Sequence, residues 1–580
     1  MRRLGIVVPL ALLAALLVPP AHADPGPKKV PTRQGYDGAV TSVDPYASRI
    51  GLRVLRAGGN AVDAAVATAA ALGVTEPFSA GIGGGGYFVY YDAETGKVHT
   101  IDGRETAPAA MPHDAFIDPE TGEPYNFTPE LVTSGVSVGV PGTLATWQRA
   151  LDRWGTLSLG QSLERAERLA RQGFRVDETF RGQVEQNLVR FRAFTSSRQL
   201  YGRLPKVGSL FRNPDLAETY DLIADHGPRR FYDGRLAREM VQAVRTPPTT
   251  TSTKLPVPEG FLAMKDLRGY RTIDRAPTHV EYRGLDVYGM APSSSGGSTV
   301  GEALNILENH DLAAATPEQA LHLYLEASAL SFADRGAYVG DPAFVDVPLE
   351  TLLSDEYAAE RDAQIDPEQA LPKPVGAGDI PDTENVETTN LTVADKWGNV
   401  VEYTLTIEQT GGSGIVVPGR GFLLNNELTD FSAEYDEADP NRIEPGKRPR
   451  SSMAPTIVLQ DGKPFLAVGS PGGSTIITTV LQVLLNRIDL GMTLPEAIRA
   501  PRATQRNTAA VLGESRFVAR YGDALAAYGH DVQTYEDIFT GTDEIGAATA
   551  IEFGPDGLLT VTAEPRRRGG GSATVVRPAR

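Results

Sequence analysis

Apolar positions along the chain recur at helical spacing in some segments and alternate in others. Residues 48–73, "SRIGLRVLRAGGNAVDAAVATAAALG", predict two helices broken at Gly58-Gly59, with Asn60 as N-cap of the second. Residues 86–92 and 97–105 predict a strand pair joined by a turn at "ETG". Residues 144–154, 158–172 and 317–335 carry helical periodicity. Residues 245–258, with four prolines and five threonines, predict a loop, and the Pro/Gly/Asp-rich residues 367–383 predict a mobile segment. Beyond it the character changes. Residues 389–393, 400–407, 421–424, 456–459, 465–469 and 558–563 predict strands. Residues 474–490 predict a long amphipathic helix, and "TLPE" at 493–496 is a capping box opening another. Strands cluster with strands and helices with helices, so the expected class is layered α+β rather than a regular βαβ alternation.

The first 23 residues stand apart. Arg2 and Arg3 precede an apolar run over 4–18, and "AHA" at 21–23 fits a small-x-small cleavage site. This predicts a secretory signal peptide, 1–23, and a secreted or periplasmic mature protein. No later run reaches the roughly 18 apolar residues of a spanning helix. The net charge of −18 disfavours nucleic acid as a partner. "RRR" at 566–568 reads as a solvated tail. The absence of cysteine excludes disulfides, a thiol nucleophile and thiolate metal sites. The eight histidines show no H-E-x-x-H spacing, and none lies between His322 and His530. No metal or cofactor is expected.

Two glycine patterns are decoys. "GIGGGG" at 81–86 follows a helix and precedes a strand, the reverse of a dinucleotide fingerprint, and reads as a tight backbone turn. "GVSVG" at 135–139 matches a nucleophile elbow. Val136, Val138 and Val140 alternate as in a strand, however, and Pro141-Gly142 interrupt before any helix.

The pair Thr388-Thr389 is different in kind. A threonine hydroxyl is a weak nucleophile that needs a base, and its own α-amine supplies one once the preceding bond is cut. That amine has a pKa near 8, suited to proton transfer at neutral pH. By itself a Thr-Thr pair at a strand start expresses only β propensity. Its neighbours are "TTNLTVADKWGN", "TLTIEQTGGSGI", "GFLLNNELTDFS", "KRPRSSMAPTI" and "VGSPGGSTII", with "GGNAVDAAVA", "EPFSAGIGGGGY" and "DGRETAP" upstream. Together, over nearly all of the mature chain, these resemble the γ-glutamyltransferase family of N-terminal nucleophile hydrolases.

The resemblance implies a four-layer αββα sandwich built from two fragments of one precursor. It implies self-cleavage between Glu387 and Thr388, giving a large fragment 24–387 and a small fragment 388–580 that pair as a heterodimer. It implies Thr388 as nucleophile, Thr406 as the threonine that positions it, and Gly472 and Gly473 as oxyanion donors. For the donor, Arg104 offers a bidentate fork to an α-carboxylate, and Ser451 and Ser452 add hydroxyls. Glu408, Glu427 and Asp430 fall where the family binds the α-ammonium. The implied reaction cleaves the γ-glutamyl bond of glutathione and related compounds and passes the acyl group to water, amino acids or peptides.

The chain departs from the family at Glu408, where asparagine is common, at Asn390, where histidine is usual, and at Gly411, where an aromatic is usual. The short stretch 431–451 leaves no room for a lid and predicts a more open donor pocket. A glutaryl (cephalosporin) acylase and a poly-γ-glutamate hydrolase share the expected fold. Glu427 and Asp430 favour a glutamyl over a glutaryl donor. An exported binding protein without catalysis is disfavoured by the intact Thr388, Thr406, Arg104 and Gly472-Gly473 set.

Overall fold

The computed structural model describes residues 26–377, 388–537 and 540–579. The expected signal peptide, 1–23, and Glu387 lie outside them, as does the part of the expected mobile segment beyond residue 377. Thirteen strands hydrogen-bond into one sheet. They are β1 (Thr32–Ser42), β2 (Gly85–Asp92), β3 (Lys97–Asp102), β4 (Ile273–Arg275), β5 (Thr278–Tyr282), β6 (Leu285–Gly289), β7 (Thr389–Asp395) and β8 (Val400–Thr406), then β9 (Thr456–Gln460), β10 (Lys463–Gly469), β11 (Thr549–Phe553), β12 (Leu559–Ala563) and β13 (Ser572–Pro578). The order is β4-β3-β2-β8-β7-β1-β12-β11-β10-β9-β6-β5, with β13 also on β1.

The hinge of this sheet is β1. Its residues Thr32 to Gly35 pair with β12, and Gly38 to Ser42 pair with β7. The halves on either side of β1 lie face to face, with β10 and β11 against β7 and β8. Helices α1 (Pro45–Arg56) and α2 (Ala61–Thr75) pack outside the first half. Helices α3 (Gly296–Glu308), α4 (Pro317–Tyr338) and α5 (Thr475–Ile488) cover the second. The result is the α/β/β/α layering expected, with the two inner layers continuous through one long strand.

Local sequence accounts for the elements. Asp44 and Asn60 cap α1 and α2, and Asn60 with Asp63 forms a capping box. All 15 residues of α2 are buried, which is why the helix is apolar all round rather than striped. Each fully buried Val or Leu contributes about 1.5–3 kcal/mol relative to exposure. The β7–β8 hairpin turns at "DKWGN", where Asp395 Oδ1 accepts the Trp397 and Asn399 N–H groups and Gly398 takes φ 92°. That turn sets a register in which Leu405 opposes Thr389 and Thr404 opposes Asn390.

Three expectations are corrected. Residues 421–424 form no strand; only a single bridge, Leu423 to Val416, remains, because glycines with positive φ surround the segment. "GVSVG" is a turn rather than a strand, and the Ser137 hydroxyl is spent on the Ser134 carbonyl. The "RRR" run is no solvated tail, because Arg567 is buried and bonded to Glu514 and Glu564.

Candidate active site

The hairpin register brings Thr388 and Thr406 to the same end of adjacent strands, and both are buried. Thr406 Oγ1 accepts the Glu408 N–H at 2.8 Å. Glu408 itself sits at φ 74°, a left-handed conformation that is strained for a non-glycine residue. The "GIGGGG" turn presses against the same strand end: a Cβ on Gly84 would stand 1.9 Å from the Thr406 carbonyl oxygen. Glycine is therefore demanded there by backbone approach.

One narrow cleft is lined by Arg104, Thr388, Thr406, Glu408, Glu427, Asp430, Ser451, Ser452, Met453, Gly473 and Ile476. Gly472 adjoins it, with φ 142° against 55° at Gly473, just before α5. The structure thus gathers the residues singled out from the sequence within residues 104–473, leaving Glu387 outside the described residues. Arg104 comes from the end of β3 and the remaining lining from residues 388 onward. The cleft encloses only about 10 Å³, roughly the room of one water. The volume is small because Glu427 and Asp430 close onto Arg104.

Arg104 explains the closure. Its guanidinium bonds Glu427 and Asp430, and it also donates to the carbonyls of Pro449 (3.2 Å) and Arg450 (3.0 Å). Burial opposes its charge, but Asp430 foremost outweighs this and raises its pKa. Glu427 and Asp430 occupy one short turn, Glu427–Asp430, so both carboxylates reach the same side. Glu427 Oε2 is buried with no partner among the described residues. Glu408, Glu427 and Asp430 offer oxygens within 4.8 Å of one another. A second cluster, His322, Glu326 and His530, is equally tight. In each, a basic side chain already pairs with acids of the cluster: Arg104 with Glu427 and Asp430 in the first, and Lys373 with Glu326 (2.6 Å) in the second.

Sequence reading missed Arg335, which donates to Ser452 Oγ (2.9 Å) and Ser295 Oγ (2.7 Å) from behind the cleft. A charge in the last turn of a helix ordinarily reads as solvated, and nothing local in "FADRGAY" marks it otherwise. It also missed Met453 and Ile476, the apolar wall. Asn390, noted only as a departure, bonds Glu402 and Thr549 beneath the strand that follows Thr388.

Comparison with known proteins bears on this geometry. The profile described as "Gamma-glutamyltranspeptidase" matches residues 47–574. The chain is similar to a "Glutathione hydrolase proenzyme" of Bacillus subtilis (strain 168), 41% identical over 87% of this chain and 88% of the relative. It is also similar to one of Escherichia coli (strain K12), 37% identical over 98% and 97%. Among solved structures, a cephalosporin acylase from Bacillus halodurans superposes with a TM-score of 0.82 at 31% identity, covering 97% of this chain and 99% of that one.

Proposed function

The chain belongs to the gamma-glutamyltranspeptidase family, and from that premise we propose how its own residues carry out γ-glutamyl transfer. The enzyme is an exported precursor that cuts itself between Glu387 and Thr388 into fragments 24–387 and 388–580. The cut frees the Thr388 α-amine. That amine takes the proton of Thr388 Oγ1 as the oxygen attacks the γ-carbonyl carbon of the donor. The carbonyl becomes an oxyanion, stabilised by the N–H groups of Gly472 and Gly473 at the positive end of α5. The C–N bond breaks, the amine leaves with the proton, and a γ-glutamyl ester remains on Thr388. Water or an acceptor amine attacks that ester in the same manner. Thr406, held as acceptor by the Glu408 amide, gives its hydroxyl hydrogen to Thr388 Oγ1 and aims it.

Donor entry is an exchange of ion pairs. The closed cleft has no room for a γ-glutamyl group while Arg104 bonds Glu427 and Asp430. The donor α-carboxylate takes the Arg104 fork and the Ser451 hydroxyl, and its α-ammonium takes the released acids. A ligand carrying both charges pairs every partner it displaces, so no buried charge is left alone. The substrate class is therefore glutathione and other γ-glutamyl amides. The observation that carries the reading is the meeting of Thr388, Thr406, Arg104 and Glu427 in one cleft.

The likeness to a cephalosporin acylase favours a glutaryl donor as the second reading. A glutaryl group leaves the acids unpaired. The test is a gel of the mature protein followed by two chromogenic anilides. Two bands, the smaller one starting at Thr388, a single uncut band for Thr388→Ala, and turnover of γ-glutamyl anilide are expected. An active, uncut wild type refutes the mechanism, and equal turnover of glutaryl anilide moves the acylase reading ahead.

A further inference from the structure

Beneath the nucleophile strand the interior between the two sheet halves is polar. Thr388, Asn390 and Thr392 alternate onto one face of β7, and Glu402, Thr404 and Thr406 onto the matching face of β8. The opposite face, with Leu391, Val393, Val401, Tyr403 and Leu405, belongs to the apolar layer under α1 and α2. On the inner face Asn390 Nδ2 donates to Glu402 Oε1 (2.5 Å) and to Thr549 Oγ1 of β11 (2.8 Å). Thr404 Oγ1 donates to Asn390 Oδ1 (2.7 Å). Glu402 is completely buried, and its Oε2 has no partner among the described residues.

The same two side chains touch the other half of the sandwich at one glycine. A Cβ on Gly469, the last residue of β10, would lie 2.4 Å from Glu402 Oε1 and 2.6 Å from Asn390 Oδ1. Gly469 begins the "GSPGG" segment that ends in Gly472 and Gly473. Asn390 lies two positions from Thr388 on its strand. The Glu402–Asn390 pair therefore stands at the point where the nucleophile's strand and the glycine loop's strand meet, and neither residue belongs to the donor cleft.

We propose that Glu402 is a positioning residue for acyl transfer: through Asn390 it seats the strand of Thr388, and by packing on Gly469 it seats the loop of Gly472 and Gly473, holding nucleophile and oxyanion donors in register. The proposal rests on the roles given above to Thr388 and the two glycines. Burial pushes the Glu402 carboxyl well above the usual range, against the opposing hydrogen bond of Asn390. The groups facing it, Asn390, Thr392 and Gly469, carry no charge to hold a carboxylate there. Glu402 acts as an un-ionised acid, a shape and a hydrogen-bond acceptor, and takes no part in proton transfer.

The test is steady-state kinetics on γ-glutamyl anilide together with the rate of self-cleavage. Glu402→Ala is expected to lower kcat on the order of a hundredfold, the cost of a misplacement of about 1 Å, with KM within about twofold. Glu402→Gln, which keeps the shape and an acceptor for Asn390, is expected to regain most of that loss. Its kcat–pH profile should superimpose on that of wild type. A Glu402→Ala enzyme with wild-type kcat overturns the proposal. So does a Glu402→Gln enzyme as slow as Glu402→Ala, which would assign the group a proton. If Glu402→Ala does not fold, Asn390→Ala takes its place, with about a tenfold loss in kcat expected at constant KM; wild-type kcat there overturns the proposal. Failure of the underlying reading looks different. A wild type that cuts itself into two bands but does not turn over the anilide refutes the donor reading alone, and the Glu402 effect is then read as slower appearance of the two bands.

Discussion

Arg104 and Arg567 are both buried, and each holds two carboxylates and two backbone carbonyls. Arg567 bonds Glu514 and Glu564 and donates to the carbonyls of Ile498 (3.1 Å) and Ala500 (2.8 Å). Arg104 bonds Glu427 and Asp430 and donates to those of Pro449 and Arg450. They differ in what surrounds the pair. Around Arg567 two further guanidinia reach the same acids, Arg502 at Glu564 (3.1 Å) and Arg516 at Glu514 (3.4 Å), so three cations meet two anions. Each of the four carboxylate oxygens there accepts a hydrogen bond. Around Arg104, Glu408 adds a third acid, and one oxygen of Glu427 has no partner among the described residues. A buried arginine between two acids is thus no sign of a site. A surplus of acid with an unfilled acceptor, beside the proposed nucleophile Thr388, is what asks for a ligand bearing an ammonium.

The comparison breaks most sharply at Arg104 itself. Arg104→Lys replaces a fork by a point charge and is expected to lower kcat/KM for γ-glutamyl anilide about a thousandfold. Self-cleavage should persist on a gel, since it does not use the donor pocket. Unchanged kinetics would place the donor carboxylate elsewhere. Arg567→Met should do the reverse. It strands buried carboxylates and should cost about 3–5 kcal/mol of stability in denaturant unfolding. Turnover per folded molecule should stay at the wild-type level. If it fell as in Arg104→Lys, the two clusters would not be distinct.

A smaller effect sharpens the charge argument. Asp430→Asn removes one of the surplus acids and should narrow the preference for γ-glutamyl over glutaryl anilide by about tenfold. An unaltered ratio would take Asp430 out of the ammonium site. The smallest effect concerns Glu105, the acid next to Arg104 that does not join its pair. Burial pushes its carboxyl up from an ordinary 4.5 to about 8, against the pull of Arg104. Between those values the unfolded chain releases a proton that the folded chain keeps, so stability falls as pH rises across the window. Glu105→Gln carries no such proton. Its melting temperature should gain on that of wild type by a few degrees between about pH 5 and pH 8. Parallel melting curves would show Glu105 to be unshifted.

The two arginines also measure what could be read in advance. "DGRE" was legible because it stands in company, in order with "TTNLTV", "NNELTD" and "GSPGG". "RRR" at 566–568 was misread because a run of charges says nothing about distant acids. Glu514 lies far upstream and reaches Arg567 only through the fold. The strand of Thr388, the caps of α1 and α2 and the β7–β8 hairpin all follow from short-range patterns. A side chain accepting an N–H three positions on, or a turn with one glycine at positive φ, needs no distant partner.

By itself, then, the amino-acid sequence determined the family, the layered class, the threonine at a strand start and the roster of residues around it. Only the tertiary structure decided which of these are bonded to one another. It closed Glu427 and Asp430 onto Arg104, brought Arg335 behind Ser452, and buried Glu402 against Gly469. The physical reason is range. Periodicity and capping are set by sterics and hydrogen bonds within a few residues. These pairings join positions up to 326 apart, and burial in a dry interior governs their charge states. Neither the pairing nor the burial exists until the two sheet halves fold face to face around β1.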